Sequence, residues 1–175
     1  MCNVSTRVLG TVDYKKARYI ILPEHAVKQA LFADSKAERT ANTMTIQMSQ
    51  TSMRVRQSRG GHVMDEPGGL PQELVVGQSS FITTNVFAHF QYRFESQRRR
   101  LRAIRLCALP NGRLQHVYNP DESRTIWKAG RNAPSLGESF RVRVSFGLLS
   151  ELARWRVQLI QYDKDGRPLE SPWRE

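Results

Sequence analysis

Cysteine is scarce in this 175-residue chain: Cys2 and Cys107 are the only two. They stand far apart, without C-x-x-C spacing and without a histidine at ligand distance. That excludes a disulfide framework, gives no zinc signature, and fits a reducing compartment. Long apolar runs are missing as well. No window approaches the roughly 18 to 20 apolar residues of a membrane span, and the opening "MCNVSTRVLG" has no signal-peptide core. Contact with a membrane would be peripheral, with Cys2 a conceivable acylation site. The third shortage is acid: 16 Asp and Glu face 27 Lys and Arg, for a formal net charge of +11. The surplus is mainly arginine, whose planar fork suits phosphate. A polyanionic partner is expected, and sign alone does not choose among nucleic acid, acidic lipid and acidic protein.

Catalytic signatures are equally thin. His25, His62, His89 and His116 are scattered, and no G-x-S-x-G, H-E-x-x-H or P-loop pattern occurs. The glycine cluster "EPGGLP" has no helix start behind it. Cys107, between Leu106 and Ala108, suits an apolar core better than a nucleophile. The expectation is a protein that is not an enzyme, with no catalytic residues, metal or cofactor.

What is present points to an α+β fold, a strand-rich, mostly antiparallel sheet with two or three short packing helices. Arg18–Leu22 is rich in strand formers. Pro23 then opens an expected helix on which Val27, Ala30, Leu31 and Asp34 fall at helical spacing. Met44, Ile46 and Met48, then Met53 and Val55, alternate like a half-buried strand pair. Residues 57–72 concentrate Gly and Pro and read as a flexible loop between an N-terminal segment, 1–56, and a basic strand-rich core, 73–175, which forms one domain with 1–56. In "NVFAHFQYRFE", Phe90, Tyr92 and Phe94 take the core face, opposite His89, Gln91, Arg93 and Glu95. "LQHVY", "RTIWK", "FRVRVSF" and the Trp155–Val157–Leu159 stretch complete the strands. Leu148, Leu149 and Leu152 beside Trp155 form either a partner patch or core.

The stretch "RRRLRAIRLCAL" breaks strict alternation and closes as a helix, with Leu101, Ile104 and Ala108 on one stripe and Arg98, Arg102 and Arg105 on another. Its basic face, Arg98, Arg99, Arg102 and Arg105 extended by Arg113, Arg124, Lys128 and Arg131, is the candidate site for phosphate, nucleic acid or an acidic surface. No helix-turn-helix, zinc-finger or RNA-recognition consensus accompanies it, which points away from reading of bases.

The order of an aromatic alternating strand, a basic segment, a loop-rich middle and "QLIQYDKDGRPLESPW" resembles rhabdovirus matrix proteins, the small plant-infecting type, over Ser80–Glu175. A lysine-rich N-terminal arm and a Pro-Pro-x-Tyr motif are absent. The resemblance implies a viral structural protein that self-associates and bridges nucleocapsid and inner membrane. Its implied partners are further copies of itself, nucleocapsid protein or RNA, an anionic membrane surface and a viral glycoprotein. Its implied location is the virion and the host cytoplasm, peripheral to membrane. A coat, movement or silencing-suppressor protein binding RNA directly is the main alternative. An enzyme would have to gather His89, His116 or Cys107 with acids.

Overall fold

The computed structural model describes residues 2–3, 18–22, 27–39, 42–95, 98–128 and 141–169. Its strands begin with β1 (Cys2–Asn3), β2 (Arg18–Leu22), β3 (Gln29–Glu38), β4 (Thr43–Gln47), β5 (Val55–Arg59) and β6 (His62–Glu66). After these come β7 (Glu73–Val76), β8 (Ser79–Glu95), β9 (Arg98–Leu109), β10 (Trp127–Lys128), β11 (Arg141–Ser145) and β12 (Val157–Gln161). Two short α-helices, α1 (Gln115–Tyr118) and α2 (Phe146–Leu152), lie among them. The fold is α+β and strand-rich, with mostly antiparallel pairing.

The large sheet runs β1-β2-β3-β8-β9-β12, with β7 also on β8. Its β3–β8 pair is parallel, in register from Gln29↔Ile82 to Glu38↔Gln91. One face alternates Phe81, Thr83, Asn85, Phe87 and His89 along β8, all buried. Against it packs the small sheet β10-β11-β4, which contributes Met44, Ile46, Val142 and Val144 to a core closed by Trp127, Phe146 and Leu149. Ser145 caps α2 by accepting from the Leu148 N–H.

Several sequence expectations give way here. The segment expected to be helical from Pro23 is strand from Gln29 onward, although Gln, Ala, Leu and Lys are good helix formers. Hydrogen bonding to β2 on one side and β8 on the other outweighs local propensity. Residues 23–26 lie outside the described part. "RRRLRAIRLCAL" is also a strand, β9. Its alternation fails because of a bulge: Gln91 pairs with Ala103 while Tyr92 pairs with Leu101, so Arg102 is the extra residue. Beyond the bulge the alternation is regular, so Arg105 shares the inward face with Ala103, Cys107 and Leu109, where the helix reading had turned it outward.

The β8 faces are reversed as well, since His89 is buried and Phe94 is half exposed. β4 and β5 do not pair with each other but belong to different sheets. "LQHVY" holds α1 rather than a strand. The segment 57–72 holds the end of β5, all of β6 and the buried Leu70. Leu149 is core, whereas Leu152 and Trp155 are exposed.

The β5–β6 ribbon is rooted by one buried side chain. Asn119 accepts from the Arg56 N–H (2.7 Å) and the Trp127 indole (3.1 Å), and donates to the carbonyls of Arg56 (2.9 Å) and Asp121 (2.8 Å). All of its hydrogen-bonding capacity is used inside the protein. Asn119→Ala strands those partners away from water and should cost about 2–4 kcal/mol by urea denaturation; a loss below about 1 kcal/mol would show that the ribbon is rooted elsewhere.

Candidate active site

Side chains two apart on a strand share a face, so β3 carries Asp34, Lys36 and Glu38 on one side of the large sheet. They line up with Phe87, His89 and Gln91 of β8. The Lys36 ammonium lies 2.8 Å from Asp34 Oδ2 and donates to Gln50 Oε1 at 3.0 Å. The Gln50 amide returns a bond to Asp34 Oδ2 at 2.6 Å. Asp34 Oδ1 accepts from the Ser35 N–H at 2.8 Å. Asp34 and Lys36 keep about a fifth of their side-chain surface open, 18% and 21%, so the triad can meet a solute. Glu38 is turned to β4, accepting from the Thr45 N–H at 2.9 Å.

Gln50 comes from a single 3-10 turn, Met48–Gln50, and the backbone around that turn is held tightly. The Gly69 N–H donates to the Met48 carbonyl at 2.8 Å and the Leu70 N–H to the Thr51 carbonyl at 3.0 Å. Asn85, buried on β8, donates to the Gln50 carbonyl. A Cβ on Gly68 would run into the carbonyls of Thr51 and Met53, which explains the glycine in "EPGGLP" as a close approach of two backbones.

Chemically, the site offers a carboxylate, an ammonium and an amide that orients both. A carboxylate beside a lysine, each partly exposed, suits phosphoryl chemistry. The acid can hold a hard cation, and the ammonium can stand against charge developing on a phosphate oxygen. Asp34-Ser35-Lys36 went unread in the sequence because residues two apart on a helix diverge by about 200°. The signal was present as an acid and a lysine separated by one residue, and it needed the strand to become a site.

His89 and Cys107 lie nearby on the sheet but make no second site. Burial pushes the Cys107 thiol up to about 12, so it stays protonated core. The His89 ring is buried, edge-on to Phe146, and neither nitrogen has a hydrogen-bond partner. Burial lowers its pKa from 6.5; Glu38 opposes that shift and Arg105 adds to it. His62 and His116 are exposed, and His25 lies outside the described residues. Among the described residues no three His, Cys, Asp or Glu side chains come together as a metal cluster.

Of the eight basic residues singled out in the sequence, the seven described are not gathered into one patch. Arg98 and Arg99 are exposed at the far end of the β8–β9 hairpin, with Arg102 half-buried behind them. Arg105 points inward, bonding Gln91 Oε1 at 2.9 Å and lying over the Phe146 ring. Arg113 pairs with Glu73 and Arg124 with Asp121 (3.0 Å). Lys128 is exposed on β10, and Arg131 lies outside the described residues.

Against known proteins, the family described as type II restriction enzyme SfiI matches residues 1–160. The type II restriction enzyme SfiI of Streptomyces fimbriatus is 33% identical over 183 aligned positions, covering 98% of this chain and 68% of the relative. The tetrameric restriction endonuclease SfiI, solved bound to cognate DNA, superposes with a TM-score of 0.75 at 32% identity, over 95% of this chain and 66% of that one. The restriction endonuclease BglI, solved bound to its DNA recognition sequence, shares the fold with a TM-score of 0.67 at 18% identity, over 85% of this chain and 61% of that one. The chain spans about two thirds of the length of these relatives.

These matches overturn the resemblance to rhabdovirus matrix proteins. An alternating aromatic strand, an acidic turn and a late tryptophan recur in many β-rich domains, and the basic helix of that reading is a strand. The matrix, coat, movement and silencing-suppressor roles fall with it. So do the nucleocapsid, RNA, membrane and glycoprotein partners, and the location in the virion and at the host membrane. The non-enzymatic reading falls because the matched proteins are enzymes that act on DNA. Among the described residues no helix is long and apolar enough to cross a membrane.

Two outcomes follow from this geometry. Gly68→Ala should lower stability by about 1–3 kcal/mol, since two carbonyls must move, and differential scanning calorimetry would register the fall; an unchanged melting point would refute the close approach. His89 is held neutral with a folded pKa below its unfolded value. Its contribution is complete above about pH 6.5 and is lost as pH falls towards the folded pKa. His89→Phe should flatten the stability profile between about pH 7 and pH 5 in urea titrations; parallel profiles for the two proteins would contradict it.

Proposed function

The chain belongs to the family of type II restriction enzymes represented by SfiI, and on that premise we propose that it is an endonuclease hydrolysing phosphodiester bonds of double-stranded DNA, with Asp34, Lys36 and Gln50 at the reacting phosphate. The observation that carries the reading is the Asp34–Lys36 pair locked by Gln50 on the central sheet, each charged side chain keeping about a fifth of its surface exposed.

Hydrolysis requires water to attack phosphorus and one P–O ester bond to break, with negative charge growing on the non-bridging and leaving oxygens. Lys36 supplies a fixed positive charge there, and Gln50 holds its head group in place before DNA arrives. The donor set fits a hard divalent cation such as Mg²⁺, which binds through one or two carboxylates together with phosphate oxygens and water. Asp34 would hold it, and when bound it would polarise the phosphoryl oxygen and acidify water. Buried His89 and Cys107 take no proton-transfer role in this scheme. The crystallised SfiI is a tetramer, and self-association of this chain belongs to the same reading.

Cleavage of supercoiled plasmid in Mg²⁺ tests the assignment. Asp34→Asn and Lys36→Ala should each slow cleavage by about 10²–10³-fold or more, the cost of losing a group that meets transition-state charge. Gln50→Ala, which only orients the other two, should slow it by about 10- to 100-fold. Circular dichroism should match wild type throughout. Full-rate cleavage by Asp34→Asn or by Lys36→Ala would overturn the site.

A further inference from the structure

β3 stops at Glu38 opposite Gln91, and β12 stops at Gln161 opposite Ala103. β8 and β9 continue without either neighbour as a two-stranded arm, from Tyr92↔Leu101 to Glu95↔Arg98. Its charge is lopsided. Arg93, Arg98, Arg99 and Arg100 are exposed on it, Arg102 stands at its base, and Arg39 reaches it from the end of β3. The one acid on the two strands of the arm is Glu95, shared at 3.6 Å by Arg93 and Arg100, and Asp163 and Asp165 of the turn after β12 lie beside Arg100. Arg98, Arg99 and Arg102 have no acidic partner among the described residues. Phe94, 49% exposed, is flanked by the guanidinium groups of Arg39 (4.8 Å) and Arg99 (5.3 Å). A large aromatic left half in water serves here as a platform that holds two arginines in place. The Arg100 guanidinium is tied to the Lys164 carbonyl at 2.6 Å, bracing the arm on its other side.

Resting on the endonuclease reading, we propose that this arm grips the phosphate backbone of duplex DNA outside the bases at the cleavage site, through Arg98, Arg99 and Arg102. Unpaired guanidinium groups, that of Arg99 held over Phe94, match phosphate oxygens, and their contacts carry no sequence information. The position fits. Lys36 is in register with His89; Arg102 bulges opposite Gln91 and Tyr92, two to three residues beyond it, while Arg99 and Arg98 pair with Phe94 and Glu95, five and six beyond. At ~3.3 Å per residue these lie roughly 7–20 Å away. That is the span of about two to six base pairs at 3.4 Å each. The arm therefore reaches phosphates flanking the one at Lys36, a grip that lengthens the footprint without changing the sequence read.

The test uses the full chain and the site it cuts, mapped first on plasmid DNA. Duplexes carrying that site with about 3 or about 12 base pairs of flank bracket the reach of the arm. Affinity is measured by anisotropy across a salt series. Wild type should bind the long-flank duplex at least about tenfold tighter than the short one. The triple variant R98A/R99A/R102A should lose that gain, and the slope of log affinity against log salt should fall by about two to three, near 0.9 per phosphate contact removed. R98K/R99K/R102K, which keeps the charge, should recover most of the slope. An equal length gain and salt slope in wild type and the alanine variant would overturn the arm while leaving the endonuclease reading standing. Altered sedimentation of the DNA-free alanine variant with an unchanged length gain would also overturn it, assigning the arm to contacts between copies. Wild type that neither cuts nor binds duplex DNA would sink the endonuclease reading, and the arm with it.

Discussion

The parallel pairing of β3 with β8 is the constraint from which the rest of the structure follows. Ten residues of β3 lie in register with β8, and this places a short polar motif in the middle of a sheet, where packing supports it from both sides. Strands β7 and β9 share the other edge of β8, which is long enough to serve both. A parallel pair cannot be closed by a tight turn, so the chain between β3 and β8 must travel. On the way it builds β4, the ribbon, and the Gln50 turn backed by the glycine crossing, which form one wall of the site.

That wall is stabilised mainly by polar groups. Gln50 holds two charged side chains with its amide while its own backbone is held by Asn85, and the crossing at Gly68 presses the turn into place. A second hub, Asn119, does the same for the ribbon. Both hubs lie beside the packed apolar core formed by Phe87, Ile126 and Trp127. Burial excludes water that would compete for these bonds, so each polar group is committed to one partner geometry.

The arginine surplus divides into three populations. Some guanidinium groups are structural: Arg156 donates to the Tyr118 hydroxyl and the Ala108 carbonyl, and Arg105 sits over Phe146. Others are paired on the surface, as Arg54 and Arg56 are with Asp65; exposed pairs of this kind contribute little to stability. A third set, Arg98, Arg99 and Arg102 on the β8–β9 arm, has no acidic partner among the described residues. A net charge of +11 thus overstates the reach of any one basic surface and understates how much arginine serves as packing.

By itself the sequence determined a strand-rich α+β domain, a Cys107 suited to an apolar core, and a basic surplus suited to phosphate. Alternation in Met44-Thr45-Ile46 and in Val142-Arg143-Val144 was legible because each of these strands buries one face only. The tertiary structure decided everything that depends on a partner strand. It turned a helix-prone segment into β3 and so brought Asp34 onto the face of Lys36. It set Arg105 opposite His89 on the inward face, and it absorbed Arg102 in a bulge that turned Leu101 to the other face, opposite Tyr92. Helical spacing is written in residues three and four apart, and the sequence shows it directly. The register of a strand is set by hydrogen bonds to chain fifty residues away, and only the folded sheet reveals which side chains it has made neighbours.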